Sequence, residues 1–292
     1  MSNLSRSIFL KQDPRKVRNL FELLLAEKLL TENIFEQTAG IIRKRNFEKA
    51  IIITGFPKGE TYETDGPIGS FVLADLLRNN LNIKEVIIAV PQKLLKKIKP
   101  LCEERFPEIS LRTLEEIGVD HLETTLAISI EFPGPNRKNI FHHMNGNSLN
   151  SSFLMIKDPV LFLRKFWSGL EDRNPDSLTI GIGDGGNELG LGKYEQQIQQ
   201  IIPFGRSCSC SCKAGIASAI SSSITLLGNT SNWAAFALAS ALGYNFSFET
   251  YQQWLSELNK VGIVDGVTGN IAPTVDGIDP LIDKEIISKL FQ

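Results

Sequence analysis

Apolar positions change their spacing along the chain. Val17, Leu20, Phe21, Leu24, Leu25 and Leu29 form one helical stripe. Asp13-Pro14 ahead of them reads as a cap followed by a first-turn proline, so the first 45 residues are expected to be helical. From Ala50 the pattern changes to a short continuous apolar run, Ala50-Ile51-Ile52-Ile53-Thr54, closed by Gly55. Such a run suits a strand buried on both faces of a parallel sheet. The loop FPKGETYETDGP follows, then a helix expected over 67–81 and a second strand over 85–90, which together have the form of a βαβ unit. Further strands are expected at 126–130, 178–182 and 222–227, and further helices at 159–170, 230–242, 250–261 and 280–291. The pattern predicts an α/β fold: a doubly wound, mostly parallel sheet with flanking helices and helical additions at both termini. One domain is expected over 1–292, with a helical extension at 1–48, an α/β core at 49–245 and a helical segment at 246–292.

Ligands of such sheets sit at the carboxyl ends of the strands, so the loops there carry the candidate chemistry. The run at 181–186, GIGDGG, satisfies G-x-G-x-x-G after a strand. Two features argue against a dinucleotide. Asp184 inside the turn and Glu188 after it oppose a pyrophosphate. The carboxylate expected about 20 residues on is also missing, since that region reads Gln199-Gln200-Ile201. Gly183, Gly185 and Gly186 instead let backbone approach a ligand closely beside Asp184, Asn187 and Glu188. That composition suits a cation, either an ammonium group or a hard metal. The simpler alternative is a turn in which Asn187 or Asp184 caps a helix.

Glu60, Glu63 and Asp65 crowd the loop after the first strand. Carboxylates brought together raise one another's pKa, which makes Glu63, Asp65, Asp184 and Glu188 candidates for general acid and base. Asp184, Glu188 and Asp65 are also the candidate ligands of a divalent metal, magnesium or manganese; no motif requires an organic cofactor. The loop EFPGPNR at 131–137 offers Glu131 and Arg137. Arg137, or Arg206 in a Pro-Gly turn further on, is the candidate partner of a substrate carboxylate. His142 and His143 read as surface residues. Neither G-x-S-x-G nor a P-loop occurs.

Composition narrows the classes. Lys and Arg number 31 against 33 Asp and Glu, a net charge of −2, so no global field attracts nucleic acid or an anionic membrane. The lysines at 93–99 fit the wet face of a helix. Cys208, Cys210 and Cys212 alternate, which puts them on one face if the segment is extended. No second ligand pair is visible for zinc, so all four cysteines read as reduced thiols. No signal peptide or membrane span is evident, and a cytoplasmic protein acting on a small molecule is expected. A homo-oligomer is compatible with this reading.

ETDGP at 63–67, E-x-P-G-P at 131–135, GIGDGGNELGLGK at 181–193 and SNW at 231–233 occur in this order. Together they resemble the D-glutamate cyclase family, over roughly residues 54–242. The resemblance implies a hydro-lyase that closes D-glutamate to 5-oxo-D-proline, and it adds Asn232 of SNW and Glu131 to the substrate-contacting set. The chain departs from the family pattern at Asn145, where arginine is usual, at Ala234, where glycine follows SNW, and at 213–217, where an aspartate is usual. The acidic loops are kept. Two other classes fit the residues less fully: an amino-acid or metal-binding module without turnover, and a nucleotide-linked enzyme.

Overall fold

The computed structural model describes residues 4–119, 123–154 and 156–292; the first three residues of the expected N-terminal extension lie outside the described set. The central sheet has six strands: β1 (Lys49–Thr54), β2 (Glu85–Val90), β3 (Ser110–Thr113), β4 (Thr125–Ile130), β5 (Leu178–Gly183) and β6 (Ile224–Leu227). Every pairing in it is parallel, and the spatial order is 3-2-1-4-5-6. This is the order of dinucleotide-binding folds, with the switch point between β1 and β4. The glycine turn follows β5, whereas the dinucleotide fingerprint belongs to the first βα turn.

Strand residues alternate between two cores. Ile52, Ile88, Ile128 and Ile180 face one, while Ile51, Ile53, Ile87 and Ala127 face the other. Both faces are covered by helices, which is why the strands read as unbroken apolar runs. The first core takes the helices Val17–Ala26, Ile34–Lys44, Pro67–Asp75, Ser231–Ala241, Phe248–Lys260 and Pro280–Leu290. No helix of the described residues is long and apolar enough to cross a membrane.

Several boundaries differ from the sequence expectation. The helix expected at 67–81 is α-helical over Pro67–Asp75 and widens to a π-helix over Leu76–Asn80. That expected at 159–170 is interrupted in the same way at Arg164–Ser168. Near the N-terminus the helix starts at Val17, not at Pro14. Asp13 accepts from the amides of Arg15 and Val17 at 3.0 and 2.9 Å, so residues 13–16 form a side-chain-closed turn ahead of the helix. The segment that carries the three cysteines is a run of turns and bends, so their alternation does not put them on one face of a strand.

The helices Pro67–Asp75 and Ser231–Ala241 are buried nearly all round and pack on one another. A Cβ on Gly69 would lie 2.8 Å from Ala235 Cβ and 3.1 Å from Asn232 Oδ1, so the approach depends on glycine there. Gly69→Val should therefore force the pair apart and cost about 1–3 kcal/mol. A thermal melt showing a wild-type transition would contradict this packing.

Candidate active site

The two buried helices begin side by side at the carboxyl edge of the sheet and cap each other. Asp65 Oδ2 accepts from Ser231 N at 2.8 Å, and Oδ1 accepts from Asn232 N at 2.8 Å and Gly66 N at 3.0 Å. In return, Asn232 Oδ1 accepts from Gly66 N at 3.1 Å and Gly69 N at 2.7 Å. Orphan amides of each helix thus find an acceptor on the segment leading into the other. Ser231 Oγ donates to Glu131 Oε2 at 2.6 Å, tying in the residue that follows β4. Glu131 has φ 45°, a strained conformation for a residue with a long side chain.

After β5 the chain turns without starting a helix until Glu195, apart from a single 3₁₀ turn at Gly192–Tyr194, so Asp184 and Asn187 cap nothing. Glu188 holds the turn: it accepts from Asp184 N at 3.1 Å and Gly186 N at 2.6 Å and is fully buried. Asn187 Nδ2 donates to His142 O at 2.8 Å, while its buried Oδ1 has no partner among the described residues.

These loops enclose a cavity of about 570 Å³. Four carboxylates line it: Glu63, Glu131, Asp184 and Asp276. Arg15, presented by the turn at 13–16, pairs with Asp184, bonds Asp276 Oδ2 at 2.8 Å and donates to Asn229 O. Asp276 comes from a loop closed around Asp265, which accepts from Thr268 N, Gly277 N and Thr274 Oγ1, each at 2.7 Å. Lys58 is the second cation of the wall and forms no ion pair among the described residues. Phe56, His143, Met144 and Asn145 complete another side.

The electrostatics favour bound protons. Burial, with Asp276 beside it, pushes Asp65 up to about 8 against the opposing amides of Asn232 and Ser231. Burial likewise raises Glu63, where Asp276 adds to it, and Glu131, where Glu188 adds to it. At Asp184 burial outweighs the opposing pull of Arg15. The Arg15 guanidinium stays charged despite its burial because Asp184 and Asp276 flank it.

The fold gathers most of the sequence-nominated residues. Glu63, Glu131, Asp184 and Asn187 line the cavity, and Asp65, Glu188 and Asn232 lie in the layer directly behind it. Gly183 packs against the Glu188 carboxyl, and Gly185 against Met144. Gly186 turns at φ 95° beside Ile198. The two nominated arginines are elsewhere. Arg137 is exposed and pairs with Glu195 at 2.6 Å, and Arg206 is exposed; neither lines the cavity. Glu60 also points to solvent. The histidines are not surface residues: His142 is fully buried and His143 lines the cavity. The nominated metal set splits in two, because Asp184 converges with Asp65 and Asp276 in one group and with Glu131 and Glu188 in another. The first group is a hard-oxygen set that suits magnesium or manganese, with Arg15 as the competing cation.

Arg15, Lys58 and Asp276 escaped the sequence reading. Arg15 directly follows the expected cap at Asp13-Pro14 and belongs to no motif, nor does Lys58. Asp276-Gly277 does repeat the Asp-Gly turn of Asp65-Gly66, a signal that was legible in the loop.

An acid whose pKa rises on folding holds a proton that the unfolded chain releases, so its contribution falls as pH rises. For Asp65 that contribution is complete below about pH 4 and lost as pH passes about 8. Asp65→Asn should flatten the decline of melting temperature across this window. An unchanged slope would show that Asp65 ionises normally.

A profile of the family described as D-glutamate cyclase-like, C-terminal, matches residues 11–291. The curated protein named D-glutamate cyclase, mitochondrial, of Homo sapiens is 29% identical over 226 residues, which cover 70% of this chain and 34% of that protein. The chain therefore spans about a third of that relative's length. The family match takes in the turn that carries Arg15 and the loop that carries Asp276, and on its extent the chain belongs to the D-glutamate cyclase-like, C-terminal family.

Proposed function

We propose that this cavity closes D-glutamate to 5-oxo-D-proline with loss of water. The observation that carries the reading is the set of four carboxylates around one small cavity, opposed among the described residues by Arg15 and Lys58. A cavity of that size suits an amino acid. Its acids and the unpartnered Asn187 Oδ1 suit the substrate ammonium group.

The reaction needs an amine without its extra proton and a carboxyl carbon open to attack. An ionised carboxylate of the cavity takes the ammonium proton. The freed nitrogen lone pair then forms the N–C bond with the side-chain carboxyl carbon. A protonated acid, for which burial favours Glu63 or Glu131, donates to the departing oxygen and is reprotonated by the second proton that the nitrogen sheds on bonding; the base passes on the first, and the oxygen leaves as water. The α-carboxylate stays anionic throughout and falls to Lys58, since the Arg15 fork is already engaged by Asp184, Asp276 and Asn229. Folding the substrate so that amine and carboxyl meet supplies much of the acceleration. Magnesium or manganese held by Asp65, Asp184 and Asp276 would polarise the reacting carboxyl oxygen.

One feature favours a second reading, a binding module without turnover: Asn145, at a position where the family pattern has arginine, stands in the cavity wall. Chromatographic detection of 5-oxoproline from D- and L-glutamate, with and without Mg²⁺ or Mn²⁺, separates the two. The cyclase reading expects product from the D isomer; stabilisation by D-glutamate with no product supports the module.

Lys58→Gln should raise KM for D-glutamate roughly ten- to a hundredfold, the loss of one charge-assisted pair of about 1.5–3 kcal/mol. Asp184→Asn should lower kcat by at least about a hundredfold. A KM unchanged in Lys58→Gln would move the α-carboxylate elsewhere, and wild-type turnover in Asp184→Asn would remove that side chain from the chemistry.

A further inference from the structure

Next to the cavity, four side chains that the proposed reaction does not use meet around one point. They are His142, at the end of the short strand Phe141–His142, and Cys208, Cys210 and Cys212 from the irregular segment 203–215. One nitrogen and three sulfurs lie within 4.8 Å of one another. Cys208 Sγ is 3.3 Å from Cys210 Sγ and 3.2 Å from Cys212 Sγ. His142 Nε2 is 3.3 Å from Cys210 Sγ and 3.6 Å from Cys212 Sγ. We propose that His142, Cys208, Cys210 and Cys212 form a structural zinc site that fastens the segment carrying the cysteines to the antiparallel hairpin of Phe141–His142 and Ser148–Leu149 beside the cavity.

The chemistry matches a closed Cys₃His sphere, the donor set of structural zinc. Tetrahedral bonds of about 2.3 Å to sulfur and 2.0–2.1 Å to nitrogen space neighbouring ligands about 3.6–3.8 Å apart. Small outward shifts of the four atoms reach that spacing. The imidazole is prepared for the role. His142 Nδ1 lies 3.1 Å from Ile140 O, so Nδ1 carries the proton and the lone pair of Nε2 faces the sulfurs. That ring is fully buried, so no solvent water competes for Nε2. Outer donors turn toward the sulfurs as well. Asn136 Nδ2 lies 3.5 Å from Cys212 Sγ, and the Gly215 and Ala214 amides donate to Cys208. Lys213 and Arg206 place positive charge on the same segment, which would offset the single negative charge of three thiolates, neutral histidine and Zn²⁺.

Binding releases one proton from each thiol to solvent, so affinity should weaken as pH falls. The mechanical consequence follows from the neighbours. Ser209 N donates to Gly146 O at 2.9 Å, and Met144 and Asn145, two and three residues on from His142, line the cavity. The ion would pin that wall from behind.

The test starts with the whole protein, refolded or expressed with zinc and dialysed under reducing conditions, then analysed for metal. One zinc per chain is expected, with a melting temperature several degrees above that of the chelated protein. Cobalt added to the chelated protein should give a thiolate-to-metal charge-transfer band and the intense d–d bands of tetrahedral coordination, a readout that needs no variant. Cys208→Ser and Cys212→Ser should lose the metal, while Cys102→Ser and Asp184→Asn should keep it. Substoichiometric zinc together with no cobalt–thiolate band overturns the proposal. So does a disulfide among the three cysteines under the same conditions, an iron–sulfur absorption spectrum, or zinc that survives both cysteine variants and leaves with Asp184→Asn. Loss of D-glutamate turnover alone bears on the acidic cavity and leaves this result unaffected.

Discussion

The site depends on two buried helices that begin against each other. Their first amides point into a region with no water to satisfy them, and each buried N–H left unpaired would cost free energy comparable to a lost hydrogen bond. Asp65 and Asn232 meet that demand reciprocally, each on the segment that opens its own helix. The arrangement fixes the loop after β1 to the loop after β6 across the width of β4 and β5. Ser231 then reaches Glu131, so the ends of β1, β4 and β6 are joined in one polar layer. The acids in front of that layer are held in place by groups doing structural work behind them.

A second constraint follows from the crowding of those acids. Several carboxylates cannot all remain ionised in a buried space without a cation. Arg15 answers part of that demand by bridging Asp184 and Asp276, and protons answer the rest. Its bridge also brings the two ends of the chain into the site. The turn at 13–16 and the loop around Asp265 lie outside the α/β core in sequence, yet they supply the cation and one wall. Segments near both ends of the described chain therefore help to enclose the cavity.

The acid-rich cavity and the cysteine cluster answer similar demands with different chemistry. Hard oxygen donors line the first, suited to protons, ammonium or a hard cation, whereas soft sulfur donors with one imidazole form the second. They share the segment around His142: its carbonyl receives Asn187 from the glycine turn, and its ring faces the thiols. Order in the cavity wall and order in the cysteine segment are thus linked through one short hairpin.

Much of this was legible in the sequence because it is written in local periods. Unbroken runs such as Ala50–Thr54 and the stretch at 85–90 announce strands buried on both faces, and the acids of the loops after Thr54 and Gly183 are plain in the sequence. The motifs ETDGP and GDGGNE carry their side chains to the same edge because parallel strands all end there. What the sequence could not give is which distant groups complete the site. Arg15 carries no signal of its own behind the expected cap at Asp13-Pro14, yet the turn closed by Asp13 aims it inward, and Arg137 looks like a ligand clamp until Glu195 draws it to the surface. His142 and the three cysteines are separated by more than sixty residues, so no spacing rule connects them. Short-range pattern determines the elements and the chemistry of each loop. Only the packing of the whole chain decides which charges face one another, because burial and pairing are set by contacts between residues far apart in sequence.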